Sequence, residues 1–289
     1  MVGRAELERF VERTLGPCRV VGDRSWVHGE SCVLEVRDAE GGRWFAKGHR
    51  RPEKHRSEVD AYRRWVPVLG GRAPTLRAVD DDLPAILLSA VPGVAVSDVA
   101  SEMDPDVQHQ AGRLLRRFHE VESLGPWHDF AAAKLDAFER WAARAAGLLA
   151  PRQLAFARDE VRRLGEVASP VRVPCHFDYD GRNWLVADGR VHVIDFEHAR
   201  PEAWINDLSR LAFGPWLARP GLRDAFLDGY GRPIGDDDRA ILRGCGALAA
   251  VSTVVWARDH GDAPFEEEGR QRLAYLMARR HRADDAAIG

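Results

Sequence analysis

The chain has 289 residues, 45% hydrophobic and 30% charged, enough for one large domain or two modest lobes around a real core. A net charge of -3 and a pI near 6.4 do not suit a protein that gains affinity by neutralising phosphates along DNA or RNA, so nucleic acid is not an expected partner. No apolar run approaches the ~20 residues of a membrane span, the N-terminal stretch lacks a signal peptide's h-region, and four scattered cysteines without a C-x-x-C pair argue against zinc and disulfides, so a cytoplasmic location is expected.

Periodicity then gives the elements in chain order. Residues 1–15 predict an amphipathic helix, and residues 18–21, 25–27, 32–36 and 43–47 are short β-rich runs separated by Gly and Asp turns. The turn 38–42 makes a hairpin of the last two. From Pro52 the period becomes helical, through Val59, Tyr62 and Val66. The basic residues along that helix (Arg50, Arg51, Lys54, His55, Arg56, Arg63, Arg64) read as a solvated face. Residues 75–79 and 85–88 are extended again, and Pro92-Gly93 marks a boundary between residues 1–93 and residues 94–289. Helices are expected around 107–121, 138–148, 151–168, 205–213, 221–230, 238–258 and 266–281. Between them lies a non-helical island, 173–195, with two β-type runs joined by the Asp188-Gly189 turn. The fold class is α+β: a small sheet-rich lobe with one helix, then a larger helical lobe with a loop and hairpin embedded in it.

The island carries the chemistry. It reads His176-Phe-Asp178-Tyr-Asp-Gly-Arg-Asn183, then the hairpin, then Ile194-Asp195-Phe196-Glu197. Asp178 and Asn183 have the H-x-D-x-x-x-x-N spacing of a kinase catalytic loop, and Asp195 falls at the place of the metal-binding Asp. In phosphoryl transfer the protein has to position groups and offset charge, which suits Asp178 to orient an acceptor hydroxyl and Asn183 and Asp195 to hold Mg²⁺. Asp and Asn are also common turn residues, but the joint pattern is hard to reach by chance. His176 reads as a brace for the loop. The chain has only three lysines, Lys47, Lys54 and Lys134, so a surviving lysine is one that arginine does not replace. Lys47 ends a strand and Glu58 opens the apolar face of the helix after it, the layout of a phosphate-contacting lysine held by a helix glutamate. His28-Gly29-Glu30-Ser31 reads either as a bend over the phosphates or as an ordinary hairpin turn.

These residues resemble the aminoglycoside phosphotransferase family, the antibiotic and small-molecule kinases with a protein-kinase-like fold. The resemblance runs from about Val20 to about Phe213, through Lys47, Glu58-x-x-x-Tyr62, Val91-Pro92-Gly93, the 112–119 helix, the 176–183 loop, Asp195 and Asp207-Leu208. It implies a bilobal kinase fold, ATP or GTP with Mg²⁺ as cofactors, a backbone hinge at Ser89 to Val91 for the nucleobase, and Asp207 supporting the catalytic loop. Phe177, Glu197 and Ser89 depart from the common pattern. The implied reaction is O-phosphorylation of a small cationic hydroxylated molecule, an aminoglycoside or cationic peptide antibiotic, by a monomer or homodimer. Glu197, Glu202, Asp259 and Asp262, with the run 266–268, are the candidate acidic pocket for its ammonium groups. Two alternatives stay open: a kinase for choline, homoserine or a sugar, and a pseudokinase without transfer.

Overall fold

In the computed structural model, which describes residues 2–26, 31–99 and 101–279, the N-terminal part is a five-stranded antiparallel sheet with two helices. Helix α1 (Arg4–Leu15) lays Leu7, Phe10 and Val11 on one face of the sheet. The strands are β1 (Cys18–Asp23), β2 (Ser31–Asp38), β3 (Arg43–His49), β4 (Leu76–Asp80) and β5 (Ala85–Ser89), in the order β1-β2-β3-β5-β4. Helix α2 (Pro52–Arg64) covers the other face, with Pro52 in its first turn. It stops short of the expected Val66 because Pro67 disfavours helical backbone at the residue before it, and residues 66–72 continue as 3-10 turns.

The expected strand at 25–27 does not form where it is described. The Ser25 amide donates to Asp23 Oδ1 and its hydroxyl accepts from the Val33 amide, so side chains replace the ladder there. Val27 and the 28–30 bend lie outside the described residues.

The chain leaves the sheet after Ser89, and β6 (Val94–Ala95) pairs with β8 (Trp184–Ala187), itself paired with β9 (Arg190–Val193). Gly93 makes this crossing with φ +120, and a Cβ there would stand 2.7 Å from the Val186 carbonyl oxygen. Helices α3 (Pro105–His119), α4 (Phe130–Arg144) and α5 (Pro151–Arg162) follow. Two strands the periodicity did not resolve, β7 (Arg172–Cys175) and β10 (Arg200–Ala203), pair through Pro201 and Pro174, residues that ordinarily argue against a strand. The expected 205–213 helix is a 3-10 segment at 204–208 and a single turn, α6 (Ser209–Ala212). After it come α7 (Pro215–Ala218), α8 (Pro220–Tyr230), α9 (Asp236–His260) and α10 (Ala263–Ala278). By length and composition α9 could cross a membrane, against the expectation from the sequence, but it is largely buried and packs on α4, α5 and α10 as a core helix. One hydrophobic core joins α2 and β5 to the helical part, through Tyr62, Leu88, Phe118 and Phe196.

Candidate active site

A cleft of about 300 Å³ opens between the two parts, lined by Lys47, Ser89, Val91 and Leu185 and floored by Ile194 and Asp195. Lys47 enters it from β3 with its side chain 8% exposed. Its ammonium lies 2.5 Å from Asp195 Oδ1, 2.8 Å from Glu197 Oε2 and 3.1 Å from Glu58 Oε2. Burial opposes this charge, yet Asp195, Glu58 and Glu197 together hold the Lys47 pKa well above its ordinary value. Glu58, fully buried on α2, also receives His49 Nε2 at 2.6 Å.

The 176–183 loop leads directly into β8. The hairpin of β8 and β9 is closed by the Ile194 amide donating to the Asn183 carbonyl at 3.0 Å, which brings Asp195 beside the end of the loop. Asn183 Nδ2 donates to both the backbone oxygen of Asp178 (2.8 Å) and its Oδ2 (2.9 Å). Asn183, through its side-chain oxygen, and Asp195, through its carboxylate, are the hard oxygen donors here that could hold Mg²⁺. Asp195 and Phe177 both take left-handed backbone, φ +65 and φ +69, the kind of strain that clusters at functional loops.

Asp207 holds this loop from below. Its carboxylate accepts the His176 amide at 2.7 Å, the Phe177 amide at 2.5 Å and His119 Nε2 at 2.9 Å. His176 in turn spans to the Ile194 carbonyl at 2.9 Å, tying the loop to the strand that delivers Asp195.

The sequence profile of the phosphotransferase enzyme family matches residues 28–245. The chain belongs to this family. A search of curated proteins finds no match. Among solved structures, it is similar to a thermostable mutant of the aminoglycoside phosphotransferase APH(4)-Ia in ternary complex with ADP and hygromycin B, with a TM-score of 0.72, 15% identity, and coverage of 96% of this chain and 99% of that one. It is similar to a choline/ethanolamine kinase family protein from Mesorhizobium loti (TM-score 0.68, 16% identity, 98% and 97% covered). It is also similar to the macrolide 2'-phosphotransferase MphH from Brachybacterium faecium (TM-score 0.60, 18% identity, 93% and 96% covered). At these identities the likeness shows the fold, which is the α+β fold of the phosphotransferase family.

The fold of this phosphotransferase brings Lys47, Glu58 and Asp195 to one cleft with Ser89 and Val91 on its wall, and joins Asp178 to Asn183, whose carbonyl holds the Ile194 amide next to Asp195. The Ser89 hydroxyl is turned away, accepting from the Thr75 amide at 2.9 Å, and the Ala90 amide donates to the Arg43 carbonyl at 3.0 Å. The four acids of the expected acidic pocket are not brought together. Glu197 sits in the Lys47 cluster and also faces Lys54, 3.7 Å away. Glu202 is buried against Lys134, Asp259 pairs with Arg144 at the surface, and Asp262 caps α10 by accepting the Phe265 amide. Glu266, at the head of the 266–268 run, is held by Arg258 and Arg270. The basic face of α2 needs the same correction: Lys54 points inward to Glu197 and His198, and buried His55 pairs with Asp81.

Sequence reasoning missed the groups nearest Asp178. Arg210 of α6 places Nε 2.5 Å from Asp178 Oδ1, and Arg182 bridges to Asp180 at 2.8 Å while standing 3.8 Å from Asp178. Arg182 lies within the motif and was visible there. Nothing in the local pattern around Arg210 announces its contact.

Proposed function

We propose that this phosphotransferase transfers the γ-phosphoryl group of ATP or GTP to a hydroxyl of a small molecule in the cytoplasm, with Lys47 on the nucleotide phosphates and Asp178 on the acceptor. The pairing of Lys47 with Asp195 in the cleft, next to the Asn183–Asp178 pair that the Ile194 amide ties to the same strand, carries this reading. Glu58 and His49 keep the Lys47 ammonium in place, ready to exchange Asp195 and Glu197 for phosphate oxygens. Asn183 and Asp195 would hold Mg²⁺, which when bound neutralises charge on the phosphates. Asp178, its carboxylate fixed by Asn183, accepts the proton of the attacking hydroxyl as the new oxygen–phosphorus bond forms and the bond to the β-phosphate oxygen breaks. The apolar wall of Val91, Leu185 and Ile194 suits a nucleobase.

The ADP and hygromycin B bound by the APH(4)-Ia neighbour support a nucleotide donor and a hydroxyl-bearing acceptor. The four carboxylates expected to bind a cationic antibiotic each have another partner and do not form one pocket, so the charge of the acceptor is for the test to decide. The test is incubation of the full chain with ATP or GTP, Mg²⁺ and a panel of hydroxylated compounds, reading an ~80 Da phosphoryl addition by mass spectrometry. Asp178→Ala is expected to abolish transfer with nucleotide still bound, and Asp195→Ala to remove Mg²⁺-dependent binding as well. Full transfer by either variant would refute the assignment.

A further inference from the structure

Strand β3 gives the cleft a direction. Arg43, Phe45 and Lys47 alternate along it, so they share one face, and all three line the cleft. Lys47, beside Asp195, marks the end where phosphates belong. Arg43 stands at the other end, roughly 13 Å away at the usual rise of a strand. That span matches the distance from the β-phosphate of an extended nucleotide to its base. The Arg43 end also adjoins the crossing between the two parts, where the Ala90 amide donates to the Arg43 carbonyl at 3.0 Å and Val91 and Leu185 add apolar wall. A nucleotide with its phosphates on Lys47 therefore sets its base against Phe45 and this wall, with Arg43 at the edge of the base.

The polar side chains at that end have one character. Glu35, buried and opposite Phe45 in the sheet, holds two guanidinium groups that both line the cleft. Arg43 Nε donates to its Oε1 at 2.6 Å, and Arg24 donates to its Oε2 through Nε at 2.9 Å and Nη2 at 2.7 Å. Both oxygens of Glu35 are thus taken, and one negative charge faces two positive ones. Arg43 is anchored by Nε alone, with its guanidinium 5.3 Å from the Phe45 ring centroid, and its two terminal nitrogens have no hydrogen-bond partner among the described residues. The Ser89 hydroxyl is occupied as the acceptor of the Thr75 amide. A base entering here meets a half-exposed fork of N–H donors and no free side-chain carboxylate.

The two purines differ on the edge such a fork reads. Guanine presents two acceptors, O6 and N7, which a guanidinium satisfies together; adenine presents the N7 acceptor beside the N6 amino group, a donor that would face the guanidinium donor to donor. We propose that the phosphoryl donor is GTP in preference to ATP, with Arg43 reading the O6 and N7 edge of the base. This rests on the phosphotransferase reading of the site and narrows its donor. Arg43 is a binding residue that sets specificity, and Glu35 positions it by holding Nε, which leaves the terminal nitrogens for the base.

The experiment measures equilibrium binding of GTP, ITP, 7-deaza-GTP and ATP to the full chain with Mg²⁺ by calorimetry, so no acceptor has to be known. GTP should bind about 10- to 100-fold more tightly than ATP, the worth of one good two-bond contact to a base. ITP, which keeps O6 and N7 but lacks the 2-amino group, should share that advantage, and 7-deaza-GTP should lose part of it. In Arg43→Gln the preference should vanish or reverse, because a glutamine amide matches the N6 and N7 edge of adenine, while Arg43→Lys, a point charge without the fork, should keep only part. The preference is a ratio within one protein, so it does not depend on how much of a variant folds. The proposal is overturned, with the phosphotransferase reading left standing, if ATP binds as tightly as GTP, if ITP does not share the advantage, or if Arg43→Gln keeps the wild-type ratio. A protein that binds none of the four overturns the phosphotransferase reading along with it.

Discussion

Replacing Lys47 with Met tests whether the cleft is held together by one shared cation. The ammonium serves three carboxylates at 2.5, 2.8 and 3.1 Å, and one of them, Glu58, is completely buried. Removing one partner of a buried ion pair costs about 3–5 kcal/mol, because the charge left behind has lost its compensation. The low end applies here, since Glu58 keeps His49 at 2.6 Å and Glu197 keeps Lys54 at 3.7 Å. A loss of about 3 kcal/mol corresponds to a fall in Tm of roughly 6–10 °C for a chain of this size. The effect should depend on pH with a definite sign. Burial opposes ionisation of Glu197, but Lys47 and then His198 hold its pKa well below the ordinary carboxylate value. Its stabilisation is therefore fully present above about pH 5 and is lost as pH falls through the acid range. In Lys47→Met that stabilisation is already reduced, so the gap between the two proteins should hold from pH 7.5 to about pH 5 and narrow as the pH falls below about 4.5. Melting curves of both proteins across that range measure it. Equal Tm values at pH 7.5, or a gap that does not change with pH, would show that Lys47 is not the common counter-ion.

Three further perturbations probe the elements around the site. Asp207→Asn replaces an acceptor of three hydrogen bonds with a group that has only one oxygen, so about 2–3 kcal/mol of stability should be lost in urea unfolding, with kcat falling more than nucleotide affinity; wild-type stability would contradict the bracing role. Gly93→Ala places a Cβ 2.7 Å from the Val186 oxygen at φ +120 and should cost about 2 kcal/mol or more, read as a lower Tm; an unchanged Tm would mean the crossing tolerates a side chain. Trp26→Ala removes a ring that lines the cleft and stacks on Trp256 with centroids 6.0 Å apart, so nucleotide should bind about 3- to 10-fold more weakly in a fluorescence titration; equal affinity would confine that stack to a packing role.

The catalytic loop was legible because its groups lie close in sequence. Asp178, Asn183 and Asp195 span 18 positions by their numbering, and the Asp188-Gly189 turn folds the segment on itself, so spacing alone implies proximity. The scarcity of lysine was informative for a physical reason: each of the three makes an internal ion pair, Lys47 and Lys54 with Glu197, and Lys134 with Glu202. The two strands β7 and β10 escaped notice because each carries a proline, and their pairing depends on contacts 25 to 31 residues apart that no local period reports.

The acceptor side was illegible for a different reason. A sequence displays every charge but not which charges cancel. Glu202 looked available until the fold set Lys134, 68 residues away, against it, and Glu266 is held between Arg258 and Arg270. Counting acids near the end of the chain therefore pointed to a cationic ligand, whereas what a ligand meets is the charge left over after pairing. Beside Asp178 the loop's two carboxylates, Asp178 and Asp180, are offset by Arg182 and Arg210. Arg210 reaches Asp178 from α6, beyond the catalytic loop and its hairpin, so only packing can reveal that they meet. The same logic separates the two sides of the site: the catalytic loop is legible as a compact motif, whereas the charge a ligand would meet depends on pairings that only helical packing sets.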